Sequence, residues 1–312
     1  MNVLITGVAG FIGSNIAKRF IDEGYKVIGI DNLHNGKIKN IPKEVDFINI
    51  DLVDTKSINL IPPRCDYILH LAGQSSGELS YKNPIDDLNK NTISTLNLIN
   101  YGIKNNVKRF LFASSMSVYG DFDCSVKGVK EKDILLPKSC YGIGKLSSEN
   151  YLKVFKEKLP FVSLRMFNVY GPGQDMNNMQ QGMVSIFLSQ AINNEEISVK
   201  GSLSRFRDFI FIDDVVESWF RATFYDKALN EAINIGTGKK TTVNSIIEAI
   251  KKITKVKNIK IEGGTPCDQL GIYSDNTKLK EILDLNPQVE LKNGLKIFYN
   301  WAKELKTKKE ID

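Results

Sequence analysis

Short apolar runs alternate with longer amphipathic stretches through the first half of the chain. Asn2–Thr6, Lys26–Ile30, Asp46–Asn49, Tyr67–Leu71, Arg109–Ala113 and Phe161–Arg165 have strand length and are rich in β-branched or aromatic residues. Between them, stretches such as Gly13–Glu23 and Asn89–Asn105 carry apolar residues at helical spacing. Apolar strands separated by helical lengths predict a parallel sheet covered on both faces. Gly24 fits a helix C-terminal cap before the second strand.

After Asn168 the rhythm breaks. Gly171-Pro172-Gly173 and the polar Gln174–Gln181 predict a loop, and Met183–Asn193 a helix. Phe209–Ile212 and Ala232–Ile235 read as strands, with Asp213–Tyr225, Thr242–Thr254 and Lys278–Leu283 as helices. The expected division is 1–165 as a dinucleotide-binding domain with returning segments near 207–236. Residues 166–206 and 237–312 then form a smaller, interrupted substrate lobe over the carboxyl edge of the sheet. The charged tail from about Lys306 is expected to fray.

Composition narrows the function classes. The 312 residues hold no apolar run of membrane-spanning length and no signal-peptide pattern, which predicts a soluble cytoplasmic protein and no membrane partner. The net charge of +6 comes from lysines mixed with acids rather than a basic stripe with aromatics, so nucleic acid is not expected as a partner. Cys65, Cys124, Cys140 and Cys267 form no C-x-x-C pair and are accompanied by two histidines, so no metal site is predicted and the thiols are expected to be reduced.

Gly7, Gly10 and Gly13 lie between the first strand and the first helix, with Phe11 and Ile12 at the helix start. Glycines there let the backbone approach a pyrophosphate at the helix N-terminus. Their spacing is G-x-x-G-x-x-G, one residue longer in its first step than the standard fingerprint. Asp31 ends the second strand; a carboxylate at that position accepts the adenosine ribose hydroxyls and repels a 2′-phosphate, favouring NAD over NADP. Asp51-Leu52 and Leu71-Ala72-Gly73 follow the third and fourth strands and are candidates for the adenine and for the cofactor wall. The expected class is therefore α/β, a Rossmann-type doubly wound parallel sheet with the smaller lobe described above.

Tyr141 and Lys145 stand four apart and share a helix face. An ammonium beside a phenol is expected to lower its pKa, giving a base that can take a proton from a sugar hydroxyl.

With these motifs in order, the chain resembles the extended short-chain dehydrogenase/reductases, in their nucleotide-sugar epimerase/dehydratase branch. The resemblance runs through Asp31-Asn32-Leu33, His70-Leu71-Ala72-Gly73, Asn91, Ser114-Ser115-Met116-Ser117-Val118-Tyr119-Gly120 and Tyr141/Lys145. It continues into Arg165–Pro172 and Arg207–Val216. It implies NAD as cofactor, a nucleotide-diphosphate sugar as substrate and a homodimer built on the helices around Asn91–Asn105 and Tyr141–Lys145. Leu96, Leu98, Ile99 and Ile103 offer apolar surface for that pairing.

The resemblance also implies roles. Ser115 would bond the sugar 4-hydroxyl, Tyr141 would exchange its proton, and Lys145 would bind the nicotinamide ribose. Gly7, Gly10, Phe11, Ile12, Gly13, Asp31, Asn32, Asn35, Gly36, Asp51, Leu52, Leu71, Ala72, Gly73, Asn91, Ser114 and Phe167 would surround the cofactor with Tyr141 and Lys145. Ser75, Ser117, Asn168 and Arg207 would meet the substrate, Arg207 as a guanidinium on phosphate. Related dehydratases carry Asp-Glu where this chain has Met116-Ser117, and decarboxylases usually a glutamate at the second position, so elimination is not expected. Thr265 stands where relatives carry a phosphate-binding arginine, and Arg205 is a candidate to supply that charge. Ile272 aligns where relatives tune room for an N-acetyl group. The function so implied is an NAD-dependent 4-epimerase passing through a 4-keto sugar. The alternatives are a 4-dehydrogenase or 4-ketoreductase of the same fold, and a non-catalytic NAD-binding protein.

Overall fold

The computed structural model describes residues 1–312 except 125–126, 181, 194–195, 255, 257, 265–269 and 312. In chain order, β1 (Asn2–Thr6) leads into α1 (Phe11–Asp22), then β2 (Lys26–Asp31), β3 (Asp46–Asn49) and β4 (Tyr67–His70). Two short helices, α2 (Gly77–Lys82) and α3 (Pro84–Leu88), continue through one π-helical turn (Asn89–Ile93) into α4 (Ser94–Lys104). Next come β5 (Arg109–Ser115), a 3-10 turn (Met116–Val118), α5 (Cys140–Phe155), β6 (Phe161–Met166) and β7 (Asn168–Tyr170). Beyond these lie α6 (Met183–Ile192), β8 (Ile197–Lys200), β9 (Phe206–Arg207), β10 (Phe209–Phe211) and α7 (Ile212–Phe224). The chain ends with β11 (Glu231–Ile235), β12 (Thr241–Thr242), α8 (Val243–Ile253), β13 (Ile259–Glu262), α9 (Thr277–Leu283) and α10 (Leu291–Ile311).

Seven strands form one parallel sheet in the order β3-β2-β1-β4-β5-β6-β11. The order reverses between β1 and β4, which opens a crevice at their carboxyl ends. One face is covered by α1 and α7, where Ile16, Ala17, Phe20 and Trp219 are fully buried. The other is covered by α4 and α5 through Leu98, Ile99 and Leu152. Burying both faces is what the continuous apolar runs require. The first apolar cluster continues without a break into α6, α8 and α10 through Leu188, Ile246 and Phe298.

Local signals explain the boundaries. Ser139 caps α5 by accepting the Gly142 N–H at 3.1 Å, and Asn83 caps α3 in the same way from Asp86, with Pro84 at the first helical position. The tail differs from expectation: α10 continues to Ile311, and Lys306 Nζ donates to Ile192 O at 3.4 Å. Its start was hidden by Gly294, a poor helix residue used here for close packing. A Cβ on Gly294 would lie 2.2 Å from the Tyr170 hydroxyl. Among the described residues, no helix is long and apolar enough to cross a membrane.

Candidate active site

The carboxyl edge of the sheet gathers the residues singled out in the sequence. At the end of β1, Gly7 turns with φ +70°, and a Cβ there would lie 2.8 Å from Ala72 N, so only glycine lets the first loop lie against the fourth. A hydrogen-bond chain knits these loops. Thr95 Oγ1 donates to Asn91 O at 2.7 Å, so His70 Nε2 donates to Thr95 (3.0 Å) and His70 Nδ1 accepts from Thr6 Oγ1 (2.8 Å). Thr6 Oγ1 in turn accepts from Leu71 N and Ala72 N, both at 3.1 Å. Burial first, and the Lys145 charge second, push His70 down to about 3, which keeps it neutral as this wiring demands.

Asp31 ends β2 with its carboxylate buried. Oδ2 accepts from Ala9 N at 3.0 Å and Oδ1 from Leu33 N at 2.8 Å. A Cβ on Gly36 would crowd both oxygens at 3.0 Å. Asn32 Nδ2 donates to Asp51 Oδ2 at 3.0 Å, joining the ends of β2 and β3 on an exposed rim. Asn35 is exposed beside them, whereas Leu52 is buried in the α4–α5 core. Gly10 begins α1 without a side-chain cap, so Phe11, Ile12 and Gly13 present the helix start to the crevice.

Ser115, Tyr141 and Lys145 meet at the end of β5. The Ser115 hydroxyl neighbours the Tyr141 phenol, and Ser115 Oγ accepts from Ser117 N and donates to Ser117 Oγ, both at 3.2 Å. Lys145 Nζ lies 5.7 Å from the Tyr141 ring centroid and 4.9 Å from that of Phe112. The expected lowering of the Tyr141 pKa is not found. Burial pushes the phenol up to about 12 despite the opposing influence of the Ser115 hydroxyl, and burial pushes Lys145 down to about 8 although the Asp87 carboxylate opposes it. Withdrawal from water disfavours the charged form of each group and is the largest effect on both.

Other candidates divide. Ser114, beside Ser115, turns its hydroxyl away to Glu149 Oε1 at 2.6 Å. Phe167 is buried with Val118, Phe206 and Ile272, and Ile272 is wholly inside that cluster. Asn168 Nδ2 lies 3.5 Å from Met116 Sδ and 3.3 Å from Asp208 O, placing the 116–117 turn and Asn168 side by side. Arg207 is buried, its pKa lowered to about 10 by desolvation and then by the Arg205 charge, and its Nη1 donates to Phe206 O. The Arg205 guanidinium donates to Ser202 O and Lys200 O. Ser75 is exposed, and Thr265 lies outside the described residues.

Sequence reasoning missed four supporting carboxylates and amides. Asp87 and Gln74 pack beside Asn91, and Glu149 sits one turn beyond Lys145. Asp208 is buried and accepts five hydrogen bonds, from Thr237 N and Oγ1, Gly238 N, and Ser274 N and Oγ. Only Glu149 had a legible signal, its helical spacing from Tyr141 and Lys145.

The fold and this site define a Rossmann-type enzyme scaffold with a Ser-Tyr-Lys constellation. Residues 3–236 match the model of the NAD dependent epimerase/dehydratase family, and the chain belongs to that family. The structure superposes on UDP-glucose 4-epimerase from Thermotoga maritima, solved with UDP-glucose, with TM-score 0.93 and 36% identity over 98% of this chain and 99% of that one. The Thermus thermophilus UDP-glucose 4-epimerase in complex with NAD gives TM-score 0.89 and 30% identity, covering 96% and 98% of the two chains. UDP-glucuronic acid decarboxylase 1 of Xenopus tropicalis is 29% identical, covering 97% of this chain and 72% of its own.

The residues present suit a dinucleotide. Gly7 and the uncapped start of α1 leave room for backbone approach to a pyrophosphate, and each Asp31 oxygen retains acceptor capacity after its one backbone bond. Asn91 Oδ1, buried beside Gly73, has no hydrogen-bond partner.

Proposed function

We propose that this chain is a nucleotide-sugar 4-epimerase of carbohydrate biosynthesis, with Ser115, Tyr141 and Lys145 as its catalytic residues. The observation that carries the reading is the neighbouring Ser115 and Tyr141 hydroxyls with Lys145 beside them, at a sheet edge where the adjoining Met116-Ser117 turn holds no acid or base. NAD, when bound, supplies a hydride acceptor and donor and, in its oxidised form, a positive ring charge that favours proton loss from Tyr141. Gly7, Gly10, Gly13 and Asp31 hold the dinucleotide, Asn91 and Lys145 its nicotinamide end, and Arg207 and Asn168 the sugar nucleotide. Tyr141 takes the proton of the 4-hydroxyl and returns it, while Ser115 bonds the same oxygen as alcohol and as ketone. The segments 166–206 and 237–312 form the lobe that grips the nucleotide diphosphate and leaves the sugar freer to turn. The named activities of the similar structures support this reading.

The test incubates the protein with UDP-, GDP-, CDP- and dTDP-sugars and follows products by NMR in deuterated water. Inverted C4 without net NADH and without deuterium at C4 is the expected result. Net cofactor reduction would favour a 4-dehydrogenase, and deuterium at C5 would point to enolisation and overturn the proposal.

Cofactor choice gives a second expectation. Asp31→Ala removes the carboxylate that repels a 2′-phosphate, so the preference for NAD over NADP should shrink by about tenfold, ~1.4 kcal/mol. Isothermal titration of both cofactors checks this; equal affinities in the unmutated protein sink the assignment.

We also propose a homodimer, through the helix of Tyr141 and Lys145 that the sequence suggested, together with α2 and α3. Leu98 and Ile99 are wholly buried against the sheet. Among the exposed apolar residues, Tyr81 (73%), Ile85 (66%), Ile143 (55%) and Val154 (74%) lie on α2, α3 and α5. A two-fold axis would cover the same patch on both copies. Sedimentation velocity should give a dimer and Val154→Arg a monomer; a monomer at every concentration for the unmutated chain rejects the pairing.

A further inference from the structure

Asp87 is a carboxylate that the reaction scheme does not use, yet it lies wholly inside the protein next to the groups that the scheme does use. It is 1% exposed, in the first turn of the short helix α3. Its Oδ1 accepts from Gln74 Nε2 at 2.8 Å and from Asn91 Nδ2 at 2.9 Å, while its Oδ2 is buried without a hydrogen-bond partner. A buried carboxylate is costly, so its presence needs an explanation beyond packing.

The explanation lies in what it does to Asn91. The Asn91 amide donates twice, to Asp87 Oδ1 and to Gln74 O at 3.0 Å. With both amide protons directed there, Asn91 Oδ1 must face the opposite way. It does so as a buried acceptor without a partner. On that side, a Cβ at Gly73 would lie 2.5 Å from Asn91 Oδ1 and 3.4 Å from Lys145 Nζ, so the two polar atoms converge on one glycine. The π-helical turn contributes as well. It frees the Asn91 carbonyl to accept from Thr95 Oγ1 at 2.7 Å and from Ser148 Oγ of α5 at 2.8 Å, which fixes the residue's backbone to the helix bearing Lys145. Gly144 lets that helix come close, since a Cβ there would meet Asn91 Cβ at 3.2 Å and Asp87 Oδ2 at 3.4 Å.

We propose that Asp87 is a positioning residue of the cofactor site. By taking amide protons of Asn91 and Gln74 on one oxygen, it locks the Asn91 carbonyl oxygen toward Gly73 and Lys145, presetting an acceptor for a hydroxyl at the nicotinamide-ribose end of the dinucleotide. The inference rests on the proposed NAD site. Without Asp87 the amide can rotate, and a donor then faces Lys145, where the ammonium repels it.

The experiment measures NAD affinity by calorimetry on full-length protein freed of nucleotide, together with kcat and KM for the sugar nucleotide. Asp87→Ala should weaken NAD binding by about tenfold. Asp87→Asn keeps an oxygen for both amides and should bind within about threefold of the unmutated protein. In an Asn91→Ala background, Asp87→Ala should add no further loss, because the orienting effect has nothing to orient. If Asp87→Ala does not fold, Asp87→Ser, whose hydroxyl is too short to reach both amides, takes its place in the same cycle. Unchanged NAD affinity in a folded Asp87→Ala or Asp87→Ser protein overturns the proposal, as does an equal loss in Asp87→Asn. An additive loss in the Asn91→Ala background overturns it too. Failure of the unmutated protein to bind NAD would instead bring down the reading of the site itself.

Discussion

Tyr141→Phe should lower kcat by roughly 10²–10⁴-fold while leaving NAD and sugar-nucleotide affinity nearly unchanged. The change keeps the ring that packs beside Lys145 and removes only the hydroxyl next to Ser115. The proton then has no partner at the 4-oxygen in either direction of the reaction. Ser115→Ala should cost less, since water can replace one hydroxyl bond. Burial holds the Tyr141 phenol near 12, so at neutral pH it carries its proton until a positive charge arrives beside it. Steady-state kinetics with calorimetric binding separates the two effects. A KM rise without a fall in kcat would mean that Tyr141 only binds substrate.

Much of this site was legible because the chemistry sits where local rules are strongest. Apolar runs marked the strands, and glycines and turn residues marked their carboxyl ends, so Gly7, Asp31, Leu71-Ala72-Gly73 and Ser115 fell together once the strands were placed in order. Tyr141 and Lys145 needed only the helical period. What escaped was the long-range support. Asp87 looks like an ordinary residue in the first turn of a short helix, and nothing local says that its oxygen meets an amide thirteen residues earlier, on Gln74. Asp208 was visible only as the residue after Arg207, although its five hydrogen bonds tie β9–β10 to residues 237–238 and 274. Charge effects were misjudged for a similar reason. The spacing of Tyr141 and Lys145 says that they are close, but not how far each is withdrawn from water, and that withdrawal decides the direction of both pKa shifts.

Helix α5 carries both Tyr141 and Lys145, and one buried ion pair ties it to the sheet, so breaking that pair should have the largest effect on stability. Glu149 and Arg165 are 0% and 2% exposed, with Arg165 Nη2 donating to Glu149 Oε2 at 2.7 Å and Nε to Oε1 at 2.9 Å. Oε1 also accepts from Ser114 at 2.6 Å, and Arg165 Nη1 donates to the Tyr119 hydroxyl and to Glu131 O. The polar atoms of the pair are thus placed by β5, β6 and α5 together with Tyr119 and Glu131. Glu149→Ala leaves a buried guanidinium without its counter-charge, which costs about 3–5 kcal/mol. In a chain of this size that corresponds to a fall in Tm of roughly 10 °C, read by thermal unfolding monitored by circular dichroism. Replacing both partners, as in Glu149→Leu/Arg165→Met, removes the uncompensated charge and should restore part of the loss, though Ser114 then lacks its acceptor. If Glu149→Ala unfolds within about 2 °C of the unmutated protein, the pair does not anchor α5. The same variant should also lower kcat, because Ser114 neighbours Ser115 and Glu149 lies one turn beyond Lys145. A stable Glu149→Leu/Arg165→Met protein with reduced kcat and unaltered KM would show that the pair sets the angle at which α5 presents Tyr141, apart from any contribution to folding.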